Sequence, residues 1–327
     1  MKGRRIFILK WIRPELPACL EISKKLLALP DERNEFLRGS DINALNLFFL
    51  RDKYRILIAS YGGCLLRLYQ GETENRFGYG FPLPLERDFD IGKDLTAVLH
   101  FLAEDAEKRA MPFRFCLCNK RQSELLGEAL VVEHLPLSLQ TDADDSDYVY
   151  NVHNLAHYEG HAYMRQRNRV KKFKREFPQA IFEKITPENA ADAKGIAEAW
   201  YLEHVPEKDF ADSLLFEKKG LQYALEHVGK LPVLGMILYA VNGVPSAFCI
   251  GSATTQREFD LHYCKVAPQY RSHGTMATII NFFAAEIEQD GYQELNLEED
   301  IGNQGLRTMK TRLRPIRMEQ KFFGIVK

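Results

Sequence analysis

The residue types best suited to chemistry lie together near the C-terminal end of this 327-residue sequence. Asn296 and Glu298 alternate with two leucines, so the period of a strand places both polar side chains on one face, and Asp300 follows directly. Arg307 and Lys310 come next, at helical spacing on a short helix pattern. Carboxylates at a strand end beside cations on the next helix can bind a zwitterion or an amine, or direct proton transfer. A surface ion-pair network has the same pattern, so both interpretations stay open.

A second group of charged residues lies on a helical pattern over residues 160–177. Its apolar residues fall on one side, and cations that include Arg167 and Lys171 line the flanks. Such a surface could contact the phosphates of RNA or of a phosphorylated donor. The alternative is a solvated basic face of an amphipathic helix. Aromatic residues are not interleaved with the cations as they are in modules that read bases.

The histidines are further candidates. His153, His157 and His161 are spaced by four, so they would share one helix face and could hold zinc, but no Cys, Glu or Asp completes a recognisable site in the sequence. We therefore expect polar packing there and predict no metal site. His262 and His204 are each either a general base or a structural residue, because imidazole titrates near neutral pH.

Composition bears on the class of protein. The formal net charge is −1, so no overall field favours nucleic acid or an anionic membrane. The six cysteines lie mostly in apolar, strand-like runs without zinc-finger spacing, which is typical of free thiols in a reducing compartment. Cations interrupt the apolar N-terminal stretch too early for a signal peptide, and no later segment has transmembrane length. We therefore expect a cytoplasmic protein.

The two halves of the sequence repeat one order of elements, a hairpin, a strand, a helix and a strand. Helical patterns run from about residue 93 to 109 and from about 275 to 289. The second has an apolar stripe formed by Met276, Ile279, Ile280, Phe283 and Ile287. This repetition predicts an α/β protein of two similar units, with the boundary in the acidic segment near 141–147. We place the domains at residues 1–145 and 146–327.

Two segments together resemble a known family. The first contains Tyr148-Val-Tyr150 and Met164-Arg-Gln-Arg-Asn-Arg-Val-Lys-Lys-Phe173, and the second is Asn296-Leu-Glu-Glu-Asp300-Ile-Gly302 followed by Gly305-Leu-Arg307 and Lys310. They resemble the C-terminal domain family of phosphatidylglycerol lysyltransferases, over roughly residues 30–325. That family belongs to the GNAT superfamily and is related to the Fem peptidyltransferases. The resemblance implies two tandem GNAT-like domains, each a mixed twisted sheet flanked by helices.

The resemblance also implies an activity, the transfer of an acyl or aminoacyl group to an amine or hydroxyl acceptor. The acceptor would be a small molecule, a peptide or a lipid headgroup. Glu298 or Asp300 would hold or deprotonate it, and Lys310 and Arg307 would counter developing negative charge or bind a donor phosphate. The remaining substrate-binding candidates are Asn296 beside the carboxylates, and Arg167, Asn168 and Lys171 for the donor.

Two donors remain candidates. Acetyltransferases of the superfamily hold the pyrophosphate of acyl-CoA on a Gln/Arg-x-x-Gly-x-Gly/Ala loop at a helix N-terminus, where backbone N–H groups face the ligand. The equivalent here is Arg271-Ser-His-Gly274-Thr-Met276, so Arg271 and Gly274 are the cofactor-binding candidates. Met276 replaces a small residue and hinders close approach to the backbone. Family relatives use aminoacyl-tRNA, which would make tRNA a partner. A GNAT-scaffold binding protein without catalysis is the alternative, and the sequence leaves the oligomeric state open.

Overall fold

The computed structural model describes residues 10–30, 36–87, 89–204, 211–241 and 243–327, without the side chains of residues 211–213. In chain order the helices are α1 (Leu16–Leu27), α2 (Ala44–Phe49), α3 (Ile91–Lys108), α4 (Lys120–Val132), α5 (Val152–His157), α6 (Met164–Glu176), α7 (Ala190–His204), α8 (Ala211–Glu226), α9 (Thr275–Gln289) and α10 (Gln304–Arg312). The strands are β1 (Leu57–Tyr61), β2 (Cys64–Gln70), β3 (Phe77–Tyr79), β4 (Leu83–Pro84), β5 (Arg114–Cys118), β6 (Leu137–Thr141), β7 (Asp147–Asn151), β8 (Ile181–Lys184), β9 (Val233–Val241), β10 (Val244–Ala253), β11 (Glu258–Val266), β12 (Glu294–Asn296), β13 (Arg317–Glu319) and β14 (Phe322–Val326).

The chain forms two compact units, each made of separate segments. The first contains described residues of 1–37, 51–142 and 321–327, and the second contains those of 38–50 and 143–320. Each unit has one mixed sheet flanked by helices, so the predicted α/β fold class is confirmed. The predicted domain boundary between residues 145 and 146 stays a prediction.

The sheet of the first unit has the strand order β1-β2-β3-β5-β14-β6 over the described residues, and β4 pairs with β2. β3 and β5 run parallel, whereas the pairs made by β14 are antiparallel. Leu66, Leu102 and Phe115 are fully buried in this unit. The C-terminal strand β14 lies between β5 and β6, so it completes a sheet whose other strands come from residues 57–141.

The sheet of the second unit has the order β13-β7-β12-β11-β10-β9-β8 over the described residues. β11 and β12 run parallel, and β7 lies between β12 and β13. The pairing sets Asn296 opposite Val149 and Asp260 beside Asn296. Polar residues of β7, β11 and β12 therefore meet in one region of this sheet.

Helix α9 forms much of the core of the second unit. Its bounds agree with the predicted helix, and Ile279, Ile280, Phe283 and Ile287 are buried as the apolar stripe requires. They join a cluster with residues of β9, β10 and β11. Burying each such side chain contributes about 1.5–3 kcal/mol to folding. The stripe thus holds α9, and the turn that precedes it, against the sheet.

Two predicted elements begin or end elsewhere. The strand predicted over residues 292–298 ends at Asn296 as β12, because Glu298 has a left-handed backbone with φ of 59°. The helix predicted over residues 160–177 begins at Met164, because Tyr158 and Gly160 turn the chain with positive φ. His161 lies in a separate 3-10 turn, so the prediction that it shares a helix face with His153 and His157 is wrong. Among the described residues no helix combines the length and apolar character that a membrane crossing requires.

Candidate active site

A buried lysine shapes the loop that follows β12. The ammonium of Lys310, on α10, donates hydrogen bonds to the carbonyl oxygens of Leu297, Glu298 and Glu299 at 2.5, 3.1 and 2.7 Å. Burial lowers the pKa of Lys310 to about 8, although Glu299 and Glu298 act to raise it. Three consecutive carbonyls that point at one cation require a tight turn of the backbone. Lys310 therefore fixes the conformation in which Glu298 is held.

An ion pair closes the next part of the same loop. Asp300 is fully buried and accepts two hydrogen bonds of 2.8 Å from the Arg307 guanidinium. It also accepts one of 2.6 Å from the hydroxyl of Tyr148 and one from the backbone N–H of Gly302. Burial acts to raise the pKa of Asp300, but the hydrogen bonds from Arg307 and Tyr148 outweigh it and lower that pKa. Asp300 and Arg307 thus join β7, the loop and α10.

The side chain of Glu298 is held by groups from two other elements. Its Oε1 accepts a hydrogen bond from the amide of Asn46 at 2.9 Å and lies 3.1 Å from Nδ1 of His262. The other imidazole nitrogen, Nε2, lies 2.8 Å from Oγ of Ser252. The Asn43 amide lies 3.1 Å from that hydroxyl oxygen and can donate to it. All of these hydrogen bonds can form together when the Ser252 hydroxyl donates to Nε2 of His262 and Nδ1–H of His262 donates to Glu298.

Exposure differs sharply along this row of groups. The Glu298 side chain is 25% exposed, whereas that of His262 is 1% exposed and Ser252 is buried. A carboxylate that solvent can reach is therefore backed by a buried imidazole and hydroxyl. The arrangement can hold a carboxylate in one orientation and receive a proton at its exposed end. The buried position of Ser252 makes it unsuited to attack a substrate.

Further carboxyl groups lie behind Glu298. Asp147, Glu258 and Asp260 are buried, and the amide of Asn296 lies 3.1 Å from Asp147 and 3.3 Å from Glu258. Burial raises the pKa of Glu258 to about 7, against the opposing charge of Arg317. Burial, together with nearby Glu258, raises the pKa of Asp260 well above its usual range. Protonation or a nearby positive charge therefore stabilises the buried carboxyl groups of this region.

The turn before α9 is made by Gly274. This residue precedes Thr275 and has φ of 84°, and a Cβ there would collide with the carbonyl oxygen of Arg169. The ammonium of Lys172 donates to the carbonyl of Ser272 at 2.8 Å, so α6 lies against this turn. Arg271 is half-exposed and pairs with Glu203 at 2.6 Å. The helix N-terminus and nearby cations can attract an anion.

The basic residues predicted on α6 differ in their surroundings. Arg167 donates to the carbonyl oxygens of Tyr158 and Gly160 and so fixes the turn between α5 and α6. Asn168 and Lys171 are exposed. The structure therefore separates the predicted residues into two groups. One group lies around β12 and on α10, and consists of Asn296, Glu298, Asp300, Arg307 and Lys310. The other lies on α6 and just before α9, and consists of Arg167, Asn168, Lys171, Arg271 and Gly274.

Several residues of this site were not identified from sequence. The N–H and hydroxyl of Ser40 lie 2.7 and 3.1 Å from Asp147, and Asn43 and Asn46 reach Ser252 and Glu298. Their signal was weak, a short polar run of Gly39, Ser40, Asp41 and Asn43 before the mostly apolar residues 44–50. The contact between Asn46 and Glu298 could not be predicted, because the two residues are 252 positions apart in the chain.

Comparisons with known proteins identify the fold. A conserved protein of unknown function from Bacteroides thetaiotaomicron VPI-5482 is 25% identical, with a TM-score of 0.84 over 98% of this chain and 100% of that one. A C-terminal domain from Agrobacterium fabrum, ascribed to a lysylphosphatidylglycerol synthetase, is 12% identical with a TM-score of 0.62, over 94% of this chain and 92% of its own. L-PGS from Bacillus licheniformis is 13% identical with a TM-score of 0.59, over 90% of this chain and 91% of that one. No curated protein matches the sequence.

The fold is a tandem GNAT-like fold. The profile of the family described as "Phosphatidylglycerol lysyltransferase, C-terminal" matches residues 35–324. The chain therefore belongs to the C-terminal family of phosphatidylglycerol lysyltransferases, which confirms the resemblance seen in the sequence.

Replacing Lys310 by methionine keeps much of the side-chain volume but removes the donor that three carbonyls share. We expect Lys310→Met to lower the free energy of unfolding by about 1–3 kcal/mol, because buried acceptors lose their partner. Arg312→Met, at an exposed position of α10, is the control and should change it by less than about 0.5 kcal/mol. Urea unfolding followed by circular dichroism measures both. Equal stability of the two variants would contradict the structural role of Lys310.

Replacing Gly274 by alanine should destabilise the turn before α9. A left-handed residue with a Cβ costs about 1–2 kcal/mol, and the collision with Arg169 adds to that cost. Gly195→Ala is a matched control, because a Cβ there meets no described atom within 4 Å and the residue lies inside α7. That variant should be neutral or more stable by up to about 1 kcal/mol. Melting temperatures of the two proteins test the difference, and a similar fall in both would refute the explanation.

Proposed function

We propose that this protein transfers an acyl or aminoacyl group to an amine acceptor, with Glu298 as the general base. The observation that carries the proposal is the partly exposed Glu298 carboxylate, oriented by Asn46 and by a buried His262. Hydrogen bonds from the described residues reach Oε1, which leaves Oε2 to meet a substrate ammonium. Family membership supports the class of reaction, since relatives with this fold are transferases.

The proposed step begins with the acceptor as an ammonium ion, attracted by the carboxyl groups around Glu298. Glu298 takes one proton, and the amine nitrogen then attacks the carbonyl carbon of the donor. A new amide bond forms while the bond to the ester oxygen of an aminoacyl-tRNA, or to the thioester sulfur of an acyl-CoA, breaks. Glu298 passes this first proton to solvent, takes the second from the nitrogen as the tetrahedral intermediate forms, and returns it to the leaving oxygen or sulfur. Atoms and charges balance when one proton is released to solvent for each amide bond formed.

The other residues around β12 are proposed to position Glu298. Asp300 is a poorer base than Glu298, because Tyr148, Gly302 and Arg307 already occupy its oxygens. Lys310 is buried against backbone carbonyls, so we propose that it holds the loop rather than meets the donor. Asn296 orients the buried carboxylates. Hydroxyl acceptors fit the site less well than amines, since they bring no positive charge.

The donor is proposed to lie toward α6 and the start of α9. Lys171 and Asn168 are exposed there and could contact phosphates, while Gly274 gives the backbone its sharp turn. We favour aminoacyl-tRNA over acyl-CoA, because Met276 occupies the position of a small residue and Arg271 is paired with Glu203. The free thiols of the six cysteines support a cytoplasmic location.

Thermal-shift measurements with each donor test this choice. A ligand that binds the folded protein raises the melting temperature by mass action. We expect stabilisation by aminoacyl-tRNA that weakens as salt rises, because phosphate contacts release counterions. Stabilisation by acetyl-CoA alone would favour an N-acetyltransferase instead. Absence of a response to both donors would support a binding protein without catalysis.

Glu298→Gln tests the proposed base. Because glutamine keeps the size of the side chain but cannot accept the proton, we expect kcat to fall by about 100-fold or more. Glu299→Gln changes the neighbouring carboxylate, which the proposal leaves outside the reaction, and should keep most of the activity. Turnover by both variants is measured with the donor that the thermal-shift experiment identifies. Full activity of Glu298→Gln would refute the assignment.

His262 is proposed to position Glu298 rather than to react. His262→Ala removes a hydrogen bond that orients the Glu298 carboxylate, so we expect kcat to fall while KM changes little. His262→Gln, which keeps a donor group, should recover part of the activity. Steady-state kinetics and melting temperatures of the three proteins separate this role from a loss of packing. An unchanged kcat in folded His262→Ala would contradict it.

A further inference from the structure

Two histidines of α5 and one glutamate of α9 converge at the surface of the second unit. Nδ1 of His153 lies 2.7 Å from Oε1 of Glu288, and Nε2 of His157 lies 2.9 Å from Oε2 of the same carboxylate. The two imidazole rings are one helical turn apart, with centroids separated by 4.4 Å. Three side chains from two helices thus direct their ligand atoms at one point.

We propose that His153, His157 and Glu288 form a binding site for a late first-row divalent metal ion, with Zn²⁺ as the representative. The potential ligand atoms all lie within 4.8 Å of one another. Ligands of a single ion with bonds of about 2.1 Å are separated by at most about 4.2 Å. In tetrahedral geometry such ligands lie about 3.4 Å apart, so the two imidazole–carboxylate contacts of 2.7 and 2.9 Å would open slightly to admit an ion. Side-chain rotations of this size bring all three groups around one point.

The chemistry of the three ligands selects the class of ion. Imidazole nitrogen suits Zn²⁺, Cu²⁺ and Ni²⁺, whereas Mg²⁺ and Ca²⁺ prefer sites built from oxygen. Two histidines four residues apart on a helix are a known arrangement for binding zinc. Three protein ligands leave at least one position for water, and the partly exposed side chains give an ion access.

The two helices are fixed to each other independently of any ion. The side-chain amide of Asn281, two turns before Glu288 on α9, donates to the carbonyls of Leu155 and Ala156 at 2.8 and 2.7 Å. These carbonyls belong to residues between the two histidines. The Tyr158 hydroxyl, just after α5, donates to the carbonyl of Ala277 at 3.1 Å. The backbone beneath all three ligands is therefore preorganised, which reduces the cost of binding.

The sequence alone predicts no metal site here, because no acidic partner lies near the histidines in the chain. That partner, Glu288, lies 131 residues beyond His157 in the chain. His161, the third member of the row, lies in a 3-10 turn beyond Gly160 and outside the convergent group. It therefore offers a matched control, a histidine four residues from His157 that should not bind the ion.

Isothermal titration of the untagged, metal-free protein with ZnCl₂ tests the proposal. We expect one ion per chain with micromolar or tighter affinity in the wild type and in His161→Ala. His157→Ala and Glu288→Gln should each weaken binding by about tenfold or more, since even outer-shell partners are worth that much. MgCl₂ should give no saturable binding. Circular dichroism spectra and metal-free melting temperatures show whether the variants remain folded.

Several outcomes would overturn the proposal. One is the absence of saturable Zn²⁺ binding by the wild type at micromolar concentrations. Equal affinity of His157→Ala and the wild type is another, because it would place the ion elsewhere. Loss of binding in His161→Ala, with His157→Ala unaffected, would assign the site to a different histidine. A melting temperature that rises with Zn²⁺ in the wild type and not in folded Glu288→Gln would support it.

Discussion

The candidate site depends on the buried ammonium of Lys310 and the three backbone carbonyls around it. A positive charge in the interior is unfavourable unless polar groups replace the water it loses. The carbonyls of Leu297, Glu298 and Glu299 do so, and in return the backbone at Glu298 adopts a left-handed conformation. Such conformations persist where the surroundings impose them. One buried cation therefore determines where the carboxylate of Glu298 lies.

The second constraint is the number of carboxyl groups buried close together. Asp147, Glu258 and Asp260 cannot all be ionised at low cost without donors or counter-charges. Amide and hydroxyl groups from the segment around Ser40 supply donors, and Arg317 supplies a charge. Asp260 is instead favoured in its protonated form. Residues from distant parts of the chain thus compensate the buried carboxyl groups. The nearby carboxylate of Glu298, in contrast, is partly accessible to solvent.

Periodicity in the sequence was sufficient to predict the elements that carry the site. The stripe of α9 and the alternation of Leu295 and Leu297 reflect burial against a core, which acts on every residue of an element. The family resemblance rested on residues that the structure places around β12 and on α6. Contacts between distant segments could not be predicted in this way. Asn46 meets Glu298 across 252 residues, and no local pattern encodes that pairing. Likewise, the left-handed turn at Glu298 is held by the Asn296 side chain, whose oxygen accepts from the Glu298 N–H at 2.8 Å, and by Lys310, whose contact with the loop no local pattern encodes.

The division of the chain between the two units has a consequence for biosynthesis. Residues 38–50 belong to the second unit but leave the ribosome long before residues 143–320. The hydrogen bonds of Ser40, Asn43 and Asn46 to that later segment therefore cannot form until it has been made. The first sheet is also incomplete until late in synthesis, because β14 lies between β5 and β6 and is made after all its other strands. The second sheet is complete only after β13 has been made, at residue 319, and the first only after β14, at residue 326. Domains that fold one after another during synthesis avoid such delays. Here each unit lacks its last strand, β13 or β14, until late in synthesis, so nascent strand edges are exposed in the meantime.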